Sequence, residues 1–287
     1  MRIRKIITKK LIFLFIILNF FINTKIYSND FNNILENKNY YNIASSSVDL
    51  GEKVFHELEV KNEEIFSHNS SNDMNKCFDI WKCIKEIVPS KYLNYISKFE
   101  LYTDGYENTL AYVTSDINRD NKWMICVDIN DSFKNDGVLN ERIKETIMHE
   151  FMHIITLNNS QMDNSNTSKT YTIAEGKLKE DAILNDFYNR FWSKHEDYVK
   201  KEESIKPYSE EYNILTNNFY SLNKDEFITK YASSNPVEDI AETFIYFIKS
   251  DIPLDNSIKS QKIRFLYTYT ELIDIKNFIL NNCKTTL

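Results

Sequence analysis

A chain of 287 residues, 42% of them hydrophobic, is long enough to bury a sizeable core in one large domain. Its 42 acidic residues outnumber 35 basic ones for a net charge of −7, which makes a nucleic-acid backbone or an anionic membrane surface a poor partner. Four glycines, with no G-x-G-x-x-G, P-loop or G-x-S-x-G, leave out the common nucleotide-binding and serine-hydrolase signatures.

Residues 1–28 read as a secretory signal peptide. Arg2, Arg4, Lys5, Lys9 and Lys10 form a basic start, and an apolar run from Leu11 to Ile22, broken only by Asn19, follows. That run is short for a bilayer span, so the expectation is export, cleavage near Ser28 and no stable membrane span in the mature chain; an uncleaved anchor is the alternative. Cleavage would remove six basic residues (Lys25 included), and 35 less six leaves 29 against 42 acids, a net charge near −13. Residues 29–75 are rich in Asn, Ser and Glu and read as a poorly ordered leader with one helix over 53–66.

One folded domain is expected over 76–287. Phe78, Trp81, Ile84 and Val88 are helically spaced and stop at Pro89; Ser90 can cap a short helix through Tyr92, Tyr95 and Ile96. Two strands are predicted at 109–115 and 122–129, joined by the turn-rich 116–121. The second is a candidate edge for an extended substrate, or an ordinary core strand. Asn140 is expected to cap a helix whose core side carries Ile143, Ile147, Ile154 and Ile155. A polar loop to Thr170, a helix over 177–192 and a charged stretch over 193–211 follow. Helices at about 236–249 and 257–282 end the chain. The expected class is α+β, mostly helical with a small mixed sheet. Cys77, Cys83, Cys126 and Cys283 form no C-x-x-C, so a thiolate metal site is not expected; buried thiols and bridges both stay open.

The chemistry is concentrated in His149-Glu150-Phe151-Met152-His153. Residues four apart on a helix share a face, so both imidazoles can hold one zinc ion while Glu150 stands beside them as a general base. The other histidine-glutamate pairs, His56-Glu57 and His195-Glu196, lack a second histidine four residues on, where Val60 and Val199 stand. A catalytic zinc needs a third ligand and an open corner for water. A third histidine six residues beyond the second is absent, because Asn159 occupies that place. A glutamate from a later helix is the other solution. Asn235 at N-cap and Pro236 at N1 start such a helix and place Glu238 at N3; Glu238 could equally complete a capping box. Glu242, one turn on, could accept the free N–H of a zinc-bound histidine.

His149-Glu150-x-x-His153, with Tyr231 seven residues before Glu238 and Glu242 four after it, resembles the gluzincin metallopeptidases of the anthrax lethal factor and Pro-Pro endopeptidase type. It is also similar to zinc-binding metallopeptidases with a Y-A-S-x-N-P-x-E-D-x-A-E segment. The similarity runs from about Ile84 to the C-terminal helix and includes Leu110-Ala111-Tyr112-Val113-Thr114. It implies a zincin-like fold with His149, His153 and Glu238 as ligands to one Zn2+, Glu150 as base, and Tyr231 facing the reacting carbonyl. The departure is the 84 residues between His153 and Glu238, which make 158–225 an insertion of open role. The expected function is that of a secreted zinc endopeptidase acting on a protein or peptide substrate. The alternatives are a non-enzymatic binding protein or toxin component with a structural or decayed metal site, and a zinc hydrolase of non-peptide amides.

Overall fold

The computed structural model describes residues 53–66, 74–104, 109–134, 136–165, 169–207 and 209–283. The signal peptide expected above lies outside them, as does the leader apart from residues 53–66 and 74–75. No helix among the described residues is long and apolar enough to cross a membrane.

The fold is α+β. Strands β1 (Lys53–Lys61), β2 (Glu64–Phe66), β3 (Ile96–Thr103), β4 (Ala111–Ser115) and β5 (Trp123–Asp128) form a sheet in the order β2-β1-β3-β5-β4. Only β3 and β5 run parallel; the other neighbours are antiparallel, so the sheet is mixed.

Two expectations are corrected at the N-terminal side. Residues 53–66 form a hairpin rather than a helix, with Leu58, Val60 and Ile65 buried and Glu57 and Glu64 exposed in alternation. Asn62 and Glu63 turn it with φ of 50° and 66°, the paired positive values of a type I′ hairpin. The Glu63 carbonyl accepts the Trp81 indole N–H at 3.1 Å, which ties this hairpin to helix α1 (Met74–Ile87). The short helix α2 (Ser90–Leu93) ends before Ile96, which opens strand β3. That strand escaped sequence reading because it is buried on both faces and shows no alternation.

Strand β5 is interior, flanked by β3 and β4, and is not an edge. The free edge beyond it belongs to β4. Helix α3 (Arg142–Leu157) lies across this end of the sheet and buries Ile143, Ile147, Ile154 and Ile155 as the spacing requires. Its start is displaced by one residue: Asn140 Oδ1 accepts from Arg142 N at 3.2 Å, with Glu141 at the cap position.

The described residues of the 158–225 segment carry several short elements of their own. A two-stranded hairpin, β6 (Thr172–Ile173) and β7 (Gly176–Lys177), turns through Ala174 and Glu175, and Gly176 enters the second strand with φ of 150°. The helix expected from 177 therefore begins only at α4 (Ile183–Phe187), which continues as a π-helical turn, Tyr188–Trp192. Helices α5 (Glu196–Ser204) and α6 (Glu210–Asn223) follow. Trp192, buried completely, stacks at 5.8 Å on Phe219, which stacks at 3.6 Å on Tyr198. Helix α7 (Pro236–Lys249) matches its expected bounds. The last expected helix is broken into α8 (Ile258–Leu266) and α9 (Thr270–Asn282). Tyr269 is extended there, and its hydroxyl donates to Asp186 at 3.0 Å, holding the chain out of the helix. All four cysteines are buried and none is in a disulfide.

Candidate metal centre

Helices α3 and α7 bring the site together. On α3, His149 and His153 lie one turn apart with ring centroids 4.7 Å from each other. Helix α7 owes its start to Asn235, whose Oδ1 accepts from both Val237 N and Glu238 N at 3.0 Å. With the first turn capped by that asparagine, the Glu238 carboxylate is not used as a capping box. It faces the histidines instead: Glu238 Oε2 is 3.0 Å from His149 Nε2 and 3.6 Å from His153 Nε2, and the two Nε2 atoms are 3.0 Å apart. The three residues are at most 5% exposed and form a group that could hold a metal ion.

The surrounding contacts fix the rings. Glu242 Oε1 lies 3.0 Å from His149 Nδ1. A carboxylate there assigns the imidazole proton to Nδ1 and turns the Nε2 lone pair towards Glu238 and His153. The other Glu242 oxygen accepts the Thr229 hydroxyl at 2.8 Å, and Thr229 Oγ1 accepts from Ala232 N at 3.0 Å. Thr229 was not singled out from sequence; a threonine two residues before Tyr231 carries no motif signal.

Electrostatics show how strongly this cluster attracts positive charge. Burial opposes a charged His149, but the hydrogen bonds and charges of Glu238 and Glu242 outweigh it and push its pKa up. Burial likewise opposes an ionised Glu238, yet His153 and His149 hold that carboxyl below the usual range. A proton on His149 Nε2 and a dication compete for the same lone pairs.

Glu150 is fully buried, and burial pushes its carboxyl up to about 8. Its Oε2 accepts from Val113 N at 3.0 Å, while Oε1 is sealed and has no hydrogen-bond partner. Tyr231 opens a 3-10 turn, Tyr231–Ser233, with its ring 5.8 Å from that of His149. His149, Glu150 and Tyr231 line one cleft with Leu110, Ile245 and Tyr246. All six residues expected in the site are therefore brought together. His195 is elsewhere, paired with Glu226 at 3.0 Å.

Behind Glu238 lies a second set of contacts that sequence reading missed. Asp239 Oδ2 accepts from Lys262 Nζ at 2.6 Å and from the Trp192 indole at 2.8 Å, with Lys262 and Asp239 both inaccessible to solvent. Lys262 also donates to the Glu226 carbonyl at 2.8 Å. Through these bonds α8 and the π-helical turn of the 158–225 segment grip α7 beside Glu238. A lysine in an amphipathic helix that also carries Lys259 and Arg264 gives no sign of such burial.

No family model, curated protein or solved structure matches this chain.

Proposed function

We propose that the chain is a zinc-dependent endopeptidase with a zincin-like fold and its motif helix at the centre, exported by way of residues 1–28. The observation that carries this reading is the spacing of the three donor atoms, 3.0, 3.0 and 3.6 Å. Tetrahedral zinc with bonds of roughly 2.0–2.1 Å to nitrogen and oxygen needs its ligand atoms about 3.3 Å apart, so His149, His153 and Glu238 fit that ion. Their chemistry fits as well: two imidazoles, one carboxylate, and Glu242 in the role that orients a ligating histidine.

Bound zinc would supply a Lewis acid that draws the pKa of a coordinated water towards about 7 and polarises a carbonyl. Glu150, which lines the cleft and is held in place by the Val113 N–H on Oε2, takes the water's proton. Burial makes that carboxylate a stronger base than an exposed one, and a dication alongside would draw its pKa back down. Glu150 then passes the proton to the leaving amine. The Tyr231 hydroxyl, on the ring beside His149, donates to the oxyanion as it forms.

Edge strand β4 supports a peptide substrate. Asp128 N bonds the Leu110 carbonyl and Asp116 N bonds the Lys122 carbonyl, so even-numbered positions of this strand face β5. Odd-numbered positions face outward, and Val113 N–H spends its outward bond on Glu150. Ala111 is fully buried there, which leaves the partly exposed Ser115 as the outward-facing position where an extended peptide can add as a further strand. The acidic balance of the chain favours protein or peptide over nucleic acid.

The test is hydrolysis of a quenched fluorescent peptide library by the purified full chain. Zinc-dependent cleavage that Glu150→Gln abolishes while zinc is retained supports the proposal. A zinc-loaded chain that cleaves nothing in the library refutes it in favour of a non-enzymatic metal protein.

A further inference from the structure

Away from the histidine centre, a second group of acids converges on one point. Asp104 directly follows strand β3, Asp128 ends the parallel strand β5, and Asp131 lies in the turn after it. One carboxylate oxygen from each lies within 4.8 Å of the other two. Asp128 is held rigidly: its Oδ1 accepts from Asn130 N at 2.7 Å and Asp131 N at 2.9 Å, and its Oδ2 accepts from Asp104 N at 2.8 Å. Asp104 Oδ2 accepts from Thr109 N at 2.9 Å.

Two oxygens at this place are not accounted for. Asp104 is 8% exposed and Thr109 is 2% exposed. Asp104 Oδ1 and Thr109 Oγ1 are both sealed from solvent without a hydrogen-bond partner among the described residues. A buried anionic oxygen with no partner is costly, and three carboxylates drawn together compound the cost by mutual repulsion. Burial and the charges of Asp128 and Asp104 push Asp131 up to about 6, and Arg142 opposes this. Such a cluster is stable when a cation sits among the oxygens.

We propose that Asp104, Asp128 and Asp131 form a second metal site, built for a hard, oxygen-liganded divalent cation of the calcium class. The donor set decides the class: it offers carboxylate oxygens and no imidazole or thiolate, the reverse of what zinc prefers at the histidine centre. The ion would clamp the C-terminal ends of β3 and β5 where the chain enters β4. Thr109 precedes Leu110, which lines the catalytic cleft, so this second ion would brace one wall of the cleft without touching the reacting atoms. It requires neither peptidase activity nor zinc at the first site.

The test uses the full chain, stripped on a chelating resin, given one equivalent of zinc and then titrated with calcium chloride while its melting temperature is recorded. Saturable stabilisation of roughly 5–10 °C is expected over a calcium range of about 0.1–10 mM. Asp131→Asn removes a charge to which no described residue donates a hydrogen bond. Without calcium that variant should melt no lower than the wild type, since one repulsive charge is gone; with calcium the wild type should overtake it. Asp104→Asn should lose the calcium response in the same way. A melting temperature indifferent to calcium, or a response in either variant as large as that of the wild type, overturns the proposal.

Discussion

Lys262→Met is the sharpest test of how α7 is held. Lysine and aspartate at this point are both out of solvent, with Nζ 2.6 Å from Asp239 Oδ2. Methionine keeps most of the volume but leaves Asp239 with the Trp192 indole as its remaining donor, since Oδ1 has none. It also strips the Glu226 carbonyl of its 2.8 Å donor. Breaking a buried pair from one side costs about 3–5 kcal/mol. For a domain of this size that corresponds to a fall of roughly 6–20 °C in melting temperature. Thermal unfolding of the metal-free protein by circular dichroism measures it directly. The deficit should shrink on acidification, because burial favours the protonated Asp239 and a neutral carboxyl needs no cation. Replacing both partners, Asp239→Leu with Lys262→Met, should recover much of the loss. A fall of under about 2 °C in the single variant, or one independent of pH, would refute the claim that an ionised buried pair secures this helix.

Other outcomes follow from the same contacts. Burial pushes Glu202 up to about 7, so the stability tied to its protonated form is present below about pH 4.5 and is lost as pH rises through about 7. Glu202→Gln should accordingly be more stable than the wild type by roughly 1–3 kcal/mol at pH 8 and level with it at pH 4, in denaturant titrations. Glu242→Ala, which frees the Nδ1 side of His149, should weaken zinc affinity by about 10–100-fold in competition with a chromophoric chelator; an unchanged affinity would mean that Glu242 does not orient the ligand. Tyr231→Phe should lower turnover by about 10²-fold or more while zinc content stays constant, and an unaffected rate would make the ring a packing residue.

The site was more legible in sequence than the sheet. Histidine is rare in this chain, so the pair at 149 and 153 stands out, and four-residue spacing on a helix admits one geometry. Asn235-Pro236 marks a helix start through local chemistry alone, which is why α7 fell within its expected bounds. Glu238 was ambiguous because N3 suits both a capping box and an inward-facing ligand; only the position of α3 decides between them. Strand β3 and the Asp239–Lys262 pair were hidden for a related reason. Burial on both faces removes the alternation that marks a strand, and a buried lysine reads like any solvated one. The 53–66 hairpin carried its alternation in view, at Leu58, Val60 and Ile65, but the surrounding polar residues masked it.

The claim at the centre is that two imidazoles and one distant carboxylate bind a single zinc ion with room left for water. X-ray absorption spectroscopy on the purified, zinc-loaded chain addresses it together with metal analysis. One zinc per chain is expected, with two histidine nitrogens and light oxygen donors at about 2.0–2.1 Å, and with the metal lost or recoordinated in Glu238→Ala. A chain that retains no zinc after dialysis, or whose zinc environment is unchanged in that variant, would contradict the account.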